Sequence, residues 1–132
     1  MADKIAFDLV SPERLLLSDQ AEMVTVPGAE GYMGVMAGHS PVISTLRPGT
    51  ISVQGAAQGD AKYFIRGGFV EISPSKITVL AEEALPMAEV DLADLDQRIR
   101  DAEEDVAAAR TDAERARASE ELDDLRQVRA AF

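Results

Sequence analysis

The chain has 132 residues, no cysteine and no tryptophan, and 24 acidic against 13 basic residues give a formal net charge of −11. That length suits one domain, alone or with an appendage. The missing cysteines exclude disulfides, zinc-finger spacing and a thiol nucleophile, and the charge argues against nucleic acid or anionic lipid as a partner, because phosphate is repelled.

MADKIAFDLV lacks the basic flank, apolar stretch and cleavage site of a secretion signal. No apolar run approaches the roughly 18 residues of a membrane span, so direct membrane insertion is not expected. Ile5, Phe7 and Leu9 alternate with Ala6 and Asp8, the period of a half-buried strand, and Ser11-Pro12 ends it. Leu15-Leu16-Leu17 is a second short run, and Met23-Val24-Thr25-Val26 stops at Pro27-Gly28. Then comes a Gly/Pro-rich stretch, GYMGVMAGHSPVISTLRPG, from Gly31 to Gly49, holding His39, the only histidine. Thr50-Ile51-Ser52-Val53 follows it, and Gln54 to Asp60 reads as a polar hairpin loop. Tyr63-Phe64-Ile65 and Phe69-Val70-Glu71-Ile72 read as two strands around Gly67-Gly68, a bulge or a close backbone approach. Ser73 to Lys76 turns into Ile77-Thr78-Val79-Leu80. Strands at this spacing, with no helical pattern between them, predict a flattened antiparallel sandwich or barrel.

All nine glycines lie between Gly28 and Gly68, all six prolines lie at or before Pro86, and Ala88 to Phe132 has neither. The second part is helical. Asp91 is the expected N-cap, with Val90 and Leu95 suited to a hydrophobic staple. Leu95, Ile99, Ala102, Val106 and Ala109 repeat at helical spacing. Continued in that phase, the stripe would meet Glu120 and Asp123, whereas Ala118, Leu122, Leu125 and Phe132 keep a different phase. The helix therefore breaks near Arg110, and Thr111-Asp112-Ala113-Glu114 caps a new one. Two alanine-rich amphipathic helices form an antiparallel hairpin of weak stability, since alanine buries little area at about 25 cal/mol per Å². The domains are thus expected at 1–88 and 89–132.

Candidate chemistry is sparse. His39 as a base would need a nucleophile and an orienting carboxylate, and no GxSxG elbow is present. Gly28, Gly31 and Gly34 form GxxGxxG, which is neither a dinucleotide nor a Walker motif. Glu82, Glu83, Glu89 and Asp91 form an acidic cluster that sits at the junction of the two parts and reads as solvated charge rather than a cation site. No catalytic residue, metal or cofactor is expected. Composition alone fits a stand-alone protein-binding β-domain with a helical tail.

Several segments in order resemble one family. They are Phe7-Asp8-Leu9-Val10-Ser11-Pro12-Glu13, Val26 to Val35 (VPGAEGYMGV), Gly38-His39-Ser40-Pro41 through Leu46-Arg47-Pro48-Gly49, Gly67 to Ile72 (GGFVEI), and Ile77 to Ala81. With the helical pair behind them, they resemble the epsilon-subunit family of bacterial and chloroplast F-type ATP synthases, whose mitochondrial counterpart is called delta. The resemblance implies a ten-stranded flattened β-sandwich followed by an α-helical hairpin. It implies a non-catalytic rotor subunit that joins the gamma subunit to the ring of c subunits. It implies a peripheral location on the cytoplasmic face of the bacterial inner membrane.

The same resemblance places the c-ring contact at Glu30, Gly31, Tyr32, Met33, Gly34 and His39. It leaves Ser11, Val42, Ile43 and Thr45 for gamma. Departures from the family pattern are Ala37, where proline is common, and Tyr32, where an acid often stands. In some members the hairpin makes a transient contact with the alpha/beta head and blocks hydrolysis. Here residues 91–132 hold thirteen acidic and seven basic residues, a net of −6, which opposes docking on an acidic segment. Some members bind ATP through an [IL]DxxRA motif. Asp94 stands where that motif has arginine, so neither ATP binding nor strong self-inhibition is expected.

Overall fold

A computed structural model describes residues 3–132, so the first two residues of the expected 1–88 domain lie outside the described ones. The chain divides into two compact units, the first ending at Met87 and the second starting at Ala88.

Eight strands build the first unit: β1 (Ile5–Val10), β2 (Leu15–Ala21), β3 (Met23–Gly28), β4 (Gly31–Val35), β5 (Val42–Thr45), β6 (Gly49–Gln54), β7 (Ala61–Ile72) and β8 (Lys76–Pro86). They hydrogen-bond in the order β2-β1-β8-β7-β6-β3-β4, with β5 paired to β7 off that path. The expected period-two burial is present. Ile5, Phe7 and Leu9 of β1 point inward with Val24 and Val26 of β3, Ile51 and Val53 of β6, and Ile77 and Val79 of β8. One sheet thus folds over on itself around a shared apolar core, the sandwich expected from the strand spacing.

The resemblance implies ten strands, and among the described residues there are eight. Tyr63–Ile65 and Phe69–Ile72 are one strand rather than two, since β7 runs 12 residues without interruption. Its first half pairs with β6 (Ile65 opposite Gly49) and its second half with β5 (Val70 opposite Ser44). The switch of partner falls at Gly67-Gly68, both at positive φ. A Cβ on Gly68 would collide with the Leu80 carbonyl and stand 2.9 Å from Ala81 Cα, so no larger residue fits this corner. Strand β8 is also longer than expected. It carries Glu82 and Glu83 within the sheet, with Glu83 opposite Arg66, rather than at a junction. The sheet is not wholly antiparallel either, for β1 and β8 run parallel, Ala6 opposite Lys76.

The second unit has a 3₁₀ turn (Met87–Glu89), helix α1 (Leu92–Ala108) and helix α2 (Asp112–Ala130). Both caps sit where the residue pattern puts them. Asp91 Oδ1 accepts from Ala93 N–H at 2.9 Å, and Thr111 Oγ1 accepts from Glu114 N–H at 3.1 Å. The returning bond of the capping box slips by one residue, because Glu114 Oε2 accepts from Arg110 N–H at 2.9 Å. Arg129 reaches back to Asp96 at 2.8 Å and Arg126 to Glu103 at 3.7 Å, which fixes the helices antiparallel. Leu95, Ala102, Leu122 and Leu125 are buried as the stripe requires. Phe132 is 45% exposed instead, and Val128 fills that place one helical turn after Leu125.

Candidate functional site

The Gly/Pro-rich stretch is not a plain loop. Its start forms β4, which pairs with β3 through a turn at Ala29-Glu30, closed by Gly28 opposite Gly31. Gly31 sits at φ 132°, a conformation that glycine tolerates and other residues do not. Glu30 is exposed at this tip, and Gly34 is exposed farther along β4.

Two side chains brace the tip. Strands β3 and β6 pair only from Met23 to Thr25, opposite Gln54 to Ser52. Beyond that point Pro27 has no N–H to donate. The Tyr32 hydroxyl takes over there and accepts the Thr50 N–H at 3.2 Å. A Cβ built on Gly49 would stand 2.7 Å from that hydroxyl, so Gly49 makes the room for it. On the other side, Ser44 Oγ accepts the Ala29 N–H at 3.2 Å and donates to the Thr45 carbonyl at 2.8 Å. Tyr32 is still 48% exposed, so its face remains available to a partner. Met33 is half-buried and packs on the core. A groove of about 480 Å³ lies between residues 28–33 and β5.

His39 is not part of this tip. It lies in the turn after β4, at the strand's other end, where Gly38 N–H donates to the Pro74 carbonyl at 2.8 Å. Its Nδ1 is 2.7 Å from the Ser40 carbonyl oxygen. A carbonyl can only accept, so Nδ1 carries a proton and donates locally.

A second surface lies on the outward face of β2, β1, β8, β7 and β5. Reading straight across the strands, Leu15 faces Val10, Val10 faces Leu80, Leu80 faces Phe69, and Phe69 faces Thr45. Leu15, Leu80 and Phe69 are each more than half exposed, and Ile43, two residues from Thr45, is 76% exposed. Ser11 follows Val10 at the end of this row, its N–H donating to the Arg14 carbonyl at 3.0 Å. Of the expected gamma-facing residues, Ser11, Ile43 and Thr45 therefore flank the row. Val42 turns the other way and packs against the core.

Charge borders the row. On its flank Asp8 accepts from the Ser18 hydroxyl at 2.8 Å and meets Lys76 at 3.1 Å. The hydroxyl first, and the ammonium after it, hold the Asp8 carboxyl below its ordinary 3.8. Glu71 is exposed on the same face, opposite Ile43. Next to Ser18 on β2, the Asp19 carboxyl is held below its ordinary value by the Gln58 and Gln20 N–H groups, and the Gln58 bond ties the 55–60 loop to β2.

Leu15, Val10, Phe69 and Leu80 were not among the expected contact residues. Their signal was present: Phe69-Val70 and Val79-Leu80 put apolar residues at both phases of a strand that needs only one. Only the register shows that the surplus members line up.

Residues 4–87 match the family model described as "ATP synthase, Delta/Epsilon chain, beta-sandwich domain". The chain is 53% identical over 129 residues to the ATP synthase epsilon chain of Parvibaculum lavamentivorans, covering 98% of both. It is 47% identical to that of Mesorhizobium japonicum, covering 100% of this chain and 98% of the relative. It also resembles a chain in the structure of the Euglena gracilis mitochondrial ATP synthase OSCP/F1/c-ring, with TM-score 0.78 and 25% identity, covering 97% of this chain and 81% of that one. A chain from the Tetrahymena thermophila mitochondrial ATP synthase central stalk and c-ring shares the fold, with TM-score 0.67 and 14% identity, covering 98% and 97%.

Proposed function

Since the chain belongs to the delta/epsilon family of ATP synthase chains, we propose that it turns with the central stalk of an F-type ATP synthase, joining the gamma shaft to the c ring. The observation that carries this reading is the 53% identity to an epsilon chain over nearly the full length of both. Two surfaces then divide the work. The outward row of Leu15, Val10, Leu80 and Phe69, with Ile43, Thr45 and Ser11 at its margin, takes the gamma shaft. Its apolar centre suits a stable contact, because burial is non-directional and grows with area. Val42 supports it from behind.

Glu30, Gly31, Tyr32, Met33 and Gly34 meet the c ring at the β3–β4 tip, and His39 adds a separate contact from the following turn. A tip held by Tyr32 and Ser44 resists bending, which a load-bearing contact requires. The subunit performs no chemistry of its own; His39, its one imidazole, donates Nδ1–H to a carbonyl within its own turn. Its place is peripheral to the membrane, on the cytoplasmic face. Among the described residues no helix is long and apolar enough to cross a bilayer.

The helical unit contributes little inhibition. Its net charge of −6 over residues 91–132 opposes docking on an acidic segment, and ATP binding is disfavoured as well, since Asp94 pairs with Arg98 at 3.2 Å and draws a basic side chain of α1 away from any phosphate.

Co-purification tests the reading. The tagged chain should elute with gamma and the c ring; elution alone would refute it in favour of a stand-alone binding module. Phe69→Glu should weaken gamma binding by about 2 kcal/mol, roughly thirtyfold, while the isolated chain keeps its fold.

A further inference from the structure

We infer that Ser44 is the mechanical tie between the two contact surfaces, a positioning residue whose hydroxyl holds the ring-facing tip against the shaft-facing strand. The inference rests on the rotor reading above and concerns how load passes between its two ends.

Strand β5 serves both neighbours by alternation. Ile43 and Thr45 are exposed on the outward face, and Ser44 between them is half-buried on the opposite side. The Ser44 hydroxyl has one proton, and it is spent on the Thr45 carbonyl. Its lone pairs are therefore left to accept, and one is aimed at the Ala29 N–H, 3.2 Å away. Ala29 is the first of the two turn residues, outside the β3–β4 ladder that ends at Gly28 and Gly31. Ser44 supplies that N–H with its acceptor.

The base of the hairpin is tied to the same segment by backbone, through the Gly28–Leu46 bridge and the Arg47 N–H donating to the Pro27 carbonyl at 2.9 Å. The tip is different. Between it and β5 lies the open groove rather than packed side chains. From the turn residues Ala29 and Glu30, the direct route to β5 is therefore the Ala29–Ser44 hydrogen bond, while the Tyr32–Thr50 bond ties the same tip to β6.

Ser44→Ala removes that bond and leaves the strand intact. In the full-length chain, amide exchange at Ala29 should rise roughly fivefold, the effect of about 1 kcal/mol. In the assembled ATP synthase, fewer protons should be pumped per ATP hydrolysed. Ser44→Thr, which keeps the hydroxyl, should restore both. Unchanged exchange at Ala29 would overturn the inference. So would faster exchange with an unchanged proton-to-ATP ratio. Neither result touches the rotor reading, which fails instead if the unmodified chain does not co-purify with shaft and ring.

Discussion

Replacing Tyr32 with phenylalanine removes one oxygen and leaves the ring over Gly49 and Pro27. The oxygen accepts the Thr50 N–H at 3.2 Å, at the point where the proline in β3 ends the β3–β6 ladder. Thr50 is half-buried, so water replaces the lost acceptor only in part. A typical neutral intramolecular hydrogen bond contributes about 0.5–1.5 kcal/mol, and with its tyrosine exposed this one is expected to contribute no more than about 1 kcal/mol. For a unit of this size that lowers the midpoint of thermal unfolding by no more than about 4–8 °C. Calorimetry on the full chain reads the shift, and amide exchange at Thr50 locates it. Tyr32→Ala should cost more, because the ring goes as well. An unchanged midpoint together with unchanged exchange at Thr50 would refute the bracing role, and Tyr32 would then be a surface residue only.

Other outcomes follow from the same geometry. The Asp8 carboxyl is held below its ordinary 3.8 in the fold, so its contribution is fully present above that value and is lost as pH falls through the lower folded value. Asp8→Asn should therefore be less stable at pH 7, and urea titrations of the two proteins should converge in acid; a constant gap down to pH 2 would contradict this. Isothermal titration with Mg-ATP should show no binding in the micromolar range, given Asp94 at the motif's arginine position. Deleting residues 91–132 should leave the ATPase rate of the complex near its starting value, and a several-fold rise would show that the hairpin inhibits. Thr111→Ala should cost the helical unit about 1 kcal/mol, read as a loss of helical circular dichroism on warming.

Local features were legible before any coordinates. Asp91 and Thr111 cap helices because a short oxygen-bearing side chain reaches the free N–H groups two or three residues on, and that is a matter of spacing alone. The break near Arg110 was visible as a change of phase in the apolar stripe. What involves distant partners was not. The Gly67-Gly68 pair reads as an interruption in one dimension, yet β7 continues through it, because a third strand takes over the pairing. The Gly/Pro content of residues 31–49 concealed β4, which exists because β3 offers it a ladder. The outward row depends on the registers of four strand pairs, and no window of sequence contains it. Tyr32 was legible as a departure from its family, but its bond to Thr50 spans 18 positions and needs the hairpin to form first. The family resemblance groups His39 with the Glu30 region, and β4 sets it at the opposite end of that strand from the turn, a separation visible only in the fold.

The parallel pairing of β1 with β8 has a consequence for synthesis. Ala6 meets Lys76, so the first strand waits on the ribosome for about 70 residues before one of its two neighbours exists. At ~5–20 residues per second that is roughly 4–14 seconds. During this interval Ile5, Phe7 and Leu9 have β2 for company but no closed core to enter. The last turns of the sandwich emerge just before the helices do. A nascent chain stalled between Ile72 and Lys76 would therefore hold β1 to β7 with the core still open where β8 must enter between β1 and β7.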